Sequence, residues 1–238
     1  MMELSKETIR QEIKYKVFYM DMPLLYDWIY KYSFFQESYK PRIVNSLYFD
    51  TPNYDFASSN MSGESKRIKL RSRWYSDLKT KFLDSFTSKS QLFTFEVKRK
   101  INSVSDKLNL GTITYDKEED YLSRVSSIQE SFESIAINQP TLAAFSLIST
   151  IFTNYEREYY ELKSDNNIRL TIDKNISYCN SKAPSDLLML AKDYVIVELK
   201  FNPDSRKKIN SLMKNFPFRQ VRSSKFLSTL AQIHRVSY

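Results

Sequence analysis

Several residue types are scarce in this sequence of 238 residues, and each scarcity excludes a kind of site. The single cysteine, Cys179, can form neither an internal disulfide nor a cysteine zinc site, which fits a reducing compartment. The only glycines, Gly63 and Gly111, are too few for the glycine-rich loops that hold phosphate in Walker or dinucleotide-binding proteins. Any phosphate bound by this chain would therefore have to be held by cationic side chains.

Long hydrophobic runs are also absent. The N-terminal residues lack the apolar core of a signal peptide, and no run approaches the length of a membrane span. We therefore expect a soluble, cytoplasmic chain without a transmembrane segment. Association with a membrane would need a partner protein.

What the sequence does have is positive charge on an aromatic-rich chain. Its formal net charge is +8, which favours an acidic partner such as nucleic acid, phosphate compounds or an anionic membrane surface. Its hydrophobic content of 42% and aromatic content of 15% indicate a folded globule rather than a disordered basic tail. We predict a single domain over residues 1–238, since one core of this size can bury ample apolar area.

The clearest pattern lies in residues 65–75, which read SKRIKLRSRWY. A strand would place four cations of this segment on one face and mostly apolar side chains on the other. A helix would scatter the same charges around its surface and leave no apolar stripe. Cations at every second position repel one another, so they need an anion, either from salt or from a polyanionic ligand.

Six segments share this charged and apolar alternation: residues 10–18, 65–75, 92–100, 151–162, 168–173 and 194–201. Their charged faces collect many cations: Lys14, Lys16, Arg67, Lys69, Arg71, Arg73, Lys98, Lys100, Arg157, Arg169 and Lys200. They also carry a few acids: Glu12, Glu96, Asp173 and Glu198. An antiparallel sheet curled into a barrel, with its charged face inward and helices on its apolar outside, would satisfy both faces. We therefore predict an α+β fold built around such a barrel.

The remaining segments complete this prediction. A further strand is expected at residues 42–50, which are rich in β-forming residues. Helices are expected at these places: residues 24–35, 204–216 and 223–236, and within residues 116–151. The polar residues 76–90 are interpreted as a loop, and residues 101–110 as a second polar segment.

An interior lined by so many cations would be stable only if it were wet and held a polyanion. The interspersed acids would then hold a divalent cation that bridges carboxylate and phosphate oxygens. The alternative is a set of strands whose basic faces simply meet solvent, as most Lys and Arg side chains do. For each arginine, a structural ion pair with Glu12, Glu96 or Glu198 is the competing interpretation, and for Glu198 it is a salt bridge to lysine.

Eight segments in order resemble one family: EIKYKV (12–17), SLYFDT (46–51), RIKLRSRWY (67–75), FEVKRK (95–100), YEREYY (155–160), IRLTID (168–173), VELKF (197–201) and SSKF (223–226). Together they resemble the VTC (vacuolar transporter chaperone) domain, a polyphosphate polymerase of the triphosphate tunnel metalloenzyme superfamily. The resemblance runs from about residue 10 to residue 226. The wider superfamily often opens with E-x-E-x-K, and here Lys14 replaces the middle acid, which fits the polymerase branch.

The resemblance implies an eight-stranded antiparallel tunnel that transfers the γ-phosphate of ATP to polyphosphate with Mn²⁺ or Mg²⁺. The catalytic residues it implies are Lys14, Arg71, Arg73, Lys98, Arg157, Arg169 and Lys200. The substrate-binding residues are Lys69, Lys107, Tyr155, Arg222, Ser224 and Lys225. The metal ligand is Glu198, with Glu96 as a second candidate. The expected partners are ATP and inorganic polyphosphate or pyrophosphate.

Three other functions compete with the polymerase. An inorganic triphosphatase or polyphosphatase would share the tunnel but use water as the phosphate acceptor. A non-catalytic module would bind polyphosphate without turnover. We expect no nucleic-acid partner, because acids on the cationic faces would repel its backbone and aromatic residues are not interleaved as stacking platforms.

Overall fold

The computed structural model describes residues 10–32, 35–102, 104–189 and 192–233. The strands are β1 (Gln11–Phe18), β2 (Phe35–Asp50), β3 (Lys66–Ser76), β4 (Leu92–Ile101), β5 (Val104–Thr114), β6 (Ile148–Leu162), β7 (Asp165–Asn180), β8 (Ala183–Met189) and β9 (Tyr194–Phe201). The helices are α1 (Met22–Asp27), α2 (Asp55–Ser62), α3 (Phe82–Thr87), α4 (Tyr121–Ala136), α5 (Arg206–Leu212) and α6 (Lys225–Ile233). The predicted α+β class is therefore confirmed.

The strands form one antiparallel sheet in the order β1-β9-β7-β6-β2-β3-β4-β5, and β8 pairs with β7 beside this path. The two ends of the path meet at one point, where Arg10 and Ser105 exchange backbone hydrogen bonds of 3.0 and 3.1 Å. The sheet therefore curls until its first and last strands touch, as in a tunnel. The prediction of eight antiparallel strands is confirmed, but the sheet is not a closed barrel, since no continuous ladder joins β1 to β5 within the described residues.

The outward faces of the strands supply the apolar core. On β1, β7 and β9 these residues form one cluster that includes Ile13, Val17, Ile168, Leu170, Val197 and Leu199. On β2, β3, β4 and β6 they form a second cluster that includes Leu47, Leu70, Trp74, Phe93, Phe95 and Phe152. Apolar side chains at every second position thus pack under the helices, and the alternating charged positions are left facing the inside of the curl.

Helix α4 shows how the helices cover this outer surface. The carboxylate of Asp120 caps its first turn by accepting the backbone N–H groups of Leu122 and Ser123. Ile128 and Phe132, one turn apart, are fully buried, and the ring of Phe132 stacks on that of Phe49 with centroids 4.3 Å apart. Among the described residues, none of the helices has both the length and the apolar character needed to cross a membrane.

Four segment predictions were wrong or incomplete. Residues 101–110, predicted as a polar segment, contain the beginning of strand β5 at Val104. The strand was missed because Lys107, Leu108 and Asn109 are exposed, so that neither face of the strand is consistently apolar. The predicted loop 76–90 contains α3, whose Phe86 packs against Trp74. The helix predicted at 24–35 is α1 followed by a π-helical turn, Trp28–Tyr32. Strand β8 was not predicted.

The predicted helices also end earlier than expected. Within residues 116–151 only α4 is a long helix, and β6 already begins at Ile148. The helix expected at 204–216 is α5 flanked by short 3₁₀ turns. The helix expected at 223–236 is seen as α6, and residues 234–236 of that prediction lie outside the described residues.

Candidate functional site

The inside of the curled sheet is lined by charged side chains that the strand registers bring together. Across β3 and β4, Arg71 pairs with Glu96, and across β1 and β9, Lys14 pairs with Glu198. Most of the predicted site residues occupy this inner face: Lys14, Lys69, Arg71, Arg73, Glu96, Lys98, Lys107, Tyr155, Arg157, Glu198 and Lys200. They form two clusters and a buried bidentate pair.

The arginine cluster is defined as Arg71, Arg73 and Lys107 around Glu96. Arg71 donates from Nε and Nη2 to Glu96 Oε2, each at 2.7 Å. Lys107 Nζ lies 2.6 Å from Glu96 Oε1, and Arg73 Nη1 lies 3.6 Å from Oε2. Burial alone would raise the pKa of Glu96, but the charges of Arg71 and Arg73 outweigh it and hold that pKa far below its usual range.

The lysine cluster is defined as Lys14, Lys69, Lys98 and Lys200 around Glu12 and Glu198. Lys200 Nζ lies 3.0 Å from Glu198 Oε1, and Lys14 Nζ lies 3.7 Å from Oε2. Lys98 of β4 pairs with Glu12 of β1 and so bridges the two ends of the strand path. Burial would raise the pKa of Glu198, but the charges of Lys200 and Lys14 hold it well below its usual range.

Two lysines of this cluster are less easily protonated than usual. Burial is the largest cause for Lys200, and it lowers the pKa to about 8 although Glu198 opposes the shift. Burial also lowers the pKa of Lys69, and repulsion from Lys14 and Lys98 moves it further, well below the usual value. An anion that enters the cluster would raise the pKa of both lysines, since a negative charge within a few ångströms favours the charged form.

The buried bidentate pair joins Arg157 of β6 to Asp173 of β7. Its two hydrogen bonds measure 2.6 and 2.7 Å, and the carboxylate of Asp173 is fully buried. Lys225 pairs with the same carboxylate and lies 4.4 Å from the ring centroid of Tyr155. The charges of Arg157 and Lys225 overcome the effect of burial, and the pKa of Asp173 falls to about 2.

The chain before α6 runs against the inner face and completes the site. The backbone N–H of Val221 donates to the carbonyl of Lys14 at 2.8 Å, and Lys14 Nζ donates to the carbonyl of Ser223 at 3.1 Å. Lys69 Nζ donates to Ser224 Oγ at 2.8 Å. Ser224 and Lys225 are therefore brought to the predicted site. Two predicted residues do not reach the two clusters. Arg222 is exposed, and Arg169, although it lies opposite Lys200 in the register of β7 and β9, is exposed with its Nε donating to the carbonyl of Asn166.

The inner face also carries buried polar atoms that have no hydrogen-bond partner within the described residues: Ser46 Oγ, Arg67 Nε, Arg73 Nε, Thr153 Oγ1 and Thr171 Oγ1. Buried hydroxyl and guanidinium groups are costly to leave unpaired, so water or a ligand must satisfy them. All are hydrogen-bond donors. This supply of free donors fits the oxygens of a phosphate chain.

Sequence reasoning left three inner residues out of the predicted site. Glu12 and Asp173 were predicted only as members of the group of acids that would hold a divalent cation, with Glu12 also an alternative ion-pair partner for the arginines. In the structure they pair with Lys98 and Arg157. Tyr48 was not considered, yet its ring stacks on Phe226 at 4.8 Å, and Arg71 and Arg73 lower its pKa against the effect of burial. The alternation of β2 places Tyr48 on the inner face, so strand parity alone would have identified it.

No group of three or more His, Cys, Asp or Glu side chains in the described part of the chain is placed to hold a metal ion. The inner acids nevertheless offer oxygen ligands of the kind that Mg²⁺ and Mn²⁺ accept. Magnesium is commonly bound by one or two carboxylates, with substrate phosphates and water as the other ligands. Glu198, whose ion pairs are longer than those of Glu96, fits such a partial site.

Comparison with known proteins agrees with this arrangement. The sequence model described as the VTC domain matches residues 9–234, nearly the whole chain. No sequence among the curated proteins matches the chain.

Three solved structures share the fold. One is the HpAC1 protein of Hippeastrum, named as an adenylyl cyclase, at 13% identity, 97% coverage of both chains and a TM-score of 0.52. Another is a protein of Vibrio parahaemolyticus named as an adenylate cyclase, at 12% identity, 94% and 99% coverage and a TM-score of 0.54. A chain of the Schizosaccharomyces pombe Mediator head module matches at 6% identity, 87% and 96% coverage and a TM-score of 0.50. At these identities the likeness concerns the fold alone.

Proposed function

We propose that this chain, which belongs to the VTC domain family, is a polyphosphate polymerase that transfers the γ-phosphate of ATP to a growing polyphosphate chain. The observation that carries this proposal is the interior of the curled sheet. Two clusters there hold more cations than acids, and buried donors beside them lack partners within the described residues. A chain of phosphates would supply both the missing negative charge and the missing acceptors.

The chemistry requires no nucleophile from the protein. A terminal oxygen of the polyphosphate attacks the γ-phosphorus of ATP, a new P–O bond forms, the bond to the β-phosphate oxygen breaks, and ADP leaves. Phosphate oxygens are already ionised, so no strong base is needed. Arg73, whose Nε has no partner within the described residues, is suited to contact the transferring group. Arg71 and Arg157, whose Nε and Nη2 contact Glu96 and Asp173, would contribute positive charge, and the lysines neutralise charge along the chain.

A divalent cation would be held by Glu198, with phosphate oxygens and water as its other ligands. When bound, Mn²⁺ or Mg²⁺ would neutralise charge that develops on the phosphate oxygens. Lys14 and Lys200 flank Glu198 and keep its carboxylate ionised, as its low pKa indicates. Glu96 is the second candidate ligand, although Arg71 and Lys107 already occupy both of its oxygens.

Two other functions fit the same interior. HpAC1, which shares the fold, has a dominant triphosphatase activity, so this fold accommodates water as the acceptor. A chain of the Mediator head module has the same fold. The fold is therefore compatible with a second alternative, a module that binds polyphosphate without catalysis. A cytoplasmic location and a single domain over residues 1–238 remain predictions.

The test is incubation of the purified chain with ATP and Mn²⁺, followed by a gel that resolves long polyphosphate and by an assay of free phosphate. Arg71→Ala and Glu198→Ala are compared with Lys89→Ala, which removes an exposed cation in the turn before β4, outside both inner clusters. We expect long polyphosphate from the parent and from Lys89→Ala, and at least a hundredfold less from the two inner variants, since one donor to a transferring group is worth roughly 10²–10³ in rate.

Each other outcome selects a rival. Free phosphate without long chains would identify a triphosphatase. Tight binding of polyphosphate without turnover would identify a non-catalytic module. Turnover that is equal in all three variants would exclude the inner face as the site.

A further inference from the structure

A second pocket lies apart from the two inner clusters, where the beginning of β2, the end of β6 and helix α1 meet. Its volume is about 420 Å³, and five tyrosines, two glutamates and Pro41 line it. The two glutamates are Glu37 and Glu158, and no lysine or arginine is part of the lining. The pocket therefore has the opposite charge from the inner face of the sheet.

The tyrosine rings form two walls. On one side the rings of Tyr26 and Tyr30 are stacked with centroids 6.3 Å apart, and Tyr30 meets Tyr160 edge-on at the same distance. On the other side Tyr39 and Tyr159 meet edge-on at 5.8 Å. The faces of aromatic rings carry negative electrostatic potential, and several of them around one space form the cages that bind organic cations.

The two carboxylates differ in how far they are neutralised. Glu158 pairs with Lys174 and accepts hydrogen bonds from the hydroxyls of Tyr26 and Tyr160. Glu37 accepts one hydrogen bond, from the hydroxyl of Tyr30 at 3.2 Å, and forms no ion pair within the described residues. One negative charge at the edge of the pocket is therefore left without a cation.

One ammonium group, that of a lysine side chain, already lies beside the pocket. Lys174 Nζ donates to the hydroxyl of Tyr26 at 2.8 Å and lies 5.5 Å from the centroid of that ring, in addition to its pair with Glu158. An ammonium ion is thus held here by one carboxylate together with a tyrosine. Glu37 likewise combines a carboxylate with nearby tyrosines, Tyr30 and Tyr39, but no cation is paired with it within the described residues.

We propose that this pocket binds an organic cation of the alkylammonium or polyamine class, with its positive charge at Glu37 and its carbon chain against the tyrosine rings. An anion would be repelled by Glu37, whose charge has no cationic partner within the described residues, and a neutral apolar ligand would gain nothing from that charge. The ring of Tyr159 belongs to the pocket wall, and its hydroxyl accepts a hydrogen bond from Arg42, whose guanidinium lies 3.7 Å from the ring centroid of Tyr75. The pocket wall is therefore linked through Arg42 to Tyr75 of β3.

The test is calorimetric titration of the full chain with spermidine and, separately, with tetramethylammonium and adenosine. Glu37→Gln removes the unpaired charge and keeps the shape of the side chain. Tyr39→Ala removes one wall at a residue whose side chain is 62% exposed, so the fold does not depend on it. Glu64→Gln, at an exposed acid in the turn between α2 and β3, is the matched control.

We expect saturable binding of spermidine and tetramethylammonium at one site of the parent chain. Binding should weaken about tenfold in Glu37→Gln, which loses the charge, should weaken severalfold in Tyr39→Ala, which loses one aromatic face, and should be unchanged in Glu64→Gln. Equal binding by the parent and Glu37→Gln would overturn the proposal. So would non-saturable binding of both cations, or saturable binding of adenosine that competes with spermidine, which would make the pocket a nucleoside site.

Discussion

The arginine cluster and the lysine cluster face the same interior, yet they hold their charges differently. In the arginine cluster, Arg71 and Lys107 contact Glu96 at 2.7 and 2.6 Å, and the carboxylate is almost completely buried. In the lysine cluster the contacts to Glu198 are 3.0 and 3.7 Å, and Lys69 has a hydroxyl rather than a carboxylate as its partner. The lysine cluster has one close pair of its own, Lys98 with Glu12, but its other three lysines are held more loosely than Arg71 and Lys107.

The pKa shifts follow the same division. The pKa of Arg71 is raised, because the attraction of Glu96 exceeds the effect of burial. The pKa of Lys69 is lowered, because burial and the neighbouring lysines both disfavour its charged form. A planar guanidinium matches a carboxylate geometrically, whereas crowded ammonium groups act as point charges that repel one another. We therefore expect an incoming phosphate to gain most beside Lys69, whose partner is a hydroxyl and whose charged form is opposed by burial and by neighbouring lysines.

The largest expected effect comes from removing the acid of the tightly paired cluster. Glu96→Gln leaves the largely buried Arg71 and Arg73 without their carboxylate partner, and we expect it to lower the free energy of unfolding by about 3–5 kcal/mol. Glu198→Gln should cost less, because its ion pairs are longer. Urea denaturation of both variants and the parent measures the difference.

The same two variants separate stability from ligand binding. Tripolyphosphate should raise the free energy of unfolding of Glu96→Gln by more than it raises that of the parent, since the added anion replaces the lost carboxylate. If Glu198→Gln proved the more destabilised of the two, or if tripolyphosphate stabilised the parent and Glu96→Gln equally, the contrast between the clusters would be wrong.

A smaller effect should appear in the pH dependence of the lysine cluster. The pKa of Lys69 is lowered in the free protein, and bound phosphate would raise it toward its usual value. Binding therefore takes up a proton once the pH exceeds the lowered pKa, and the affinity for tripolyphosphate should fall as the pH rises. We expect a severalfold loss between pH 7 and pH 9. Calorimetry in buffers of different ionisation enthalpy measures the proton uptake.

The variant Lys69→Arg tests whether this residue is the source. Arginine keeps its charge throughout this pH range, so the loss of affinity should become shallower in the variant. Lys200, whose pKa is about 8, should account for part of the remaining slope. An identical slope in the parent and in Lys69→Arg would remove Lys69 from the explanation.

The smallest expected effect concerns a predicted residue that lies outside both clusters. Arg169 is exposed, and within the part of the chain that the structure describes its hydrogen bond is to the carbonyl of Asn166, so Arg169→Ala should change the free energy of unfolding by less than about 0.5 kcal/mol. Its effect on tripolyphosphate affinity should be about twofold, against a much larger loss in Arg71→Ala. A loss in Arg169→Ala as large as that in Arg71→Ala would extend the phosphate path to this end of β7.

Much of the fold followed from alternation, because period two is a property of the extended backbone. The charged faces of β1, β3 and β9 were predicted correctly, and β9 was predicted with the bounds that the structure has. Strand β5 was missed because exposed residues such as Lys107 and Leu108 on both faces leave no alternation to detect. The sequence pattern also could not predict that Arg169 and Arg222 are exposed, because the position of a residue along the tunnel depends on strand register.

The order of residues along each strand dictates which side chains share a face of the sheet. It also shows that one of these faces is strongly basic. Tertiary structure alone decided the partners: Lys98 meets Glu12 across 86 positions of the chain, and Lys69 meets Ser224 across 155. It also decided that Tyr30 and Glu37 would meet Glu158 in a pocket of opposite charge. The physical reason is that the spacing of residues along a strand is local, whereas register and curl depend on packing the whole apolar surface at once.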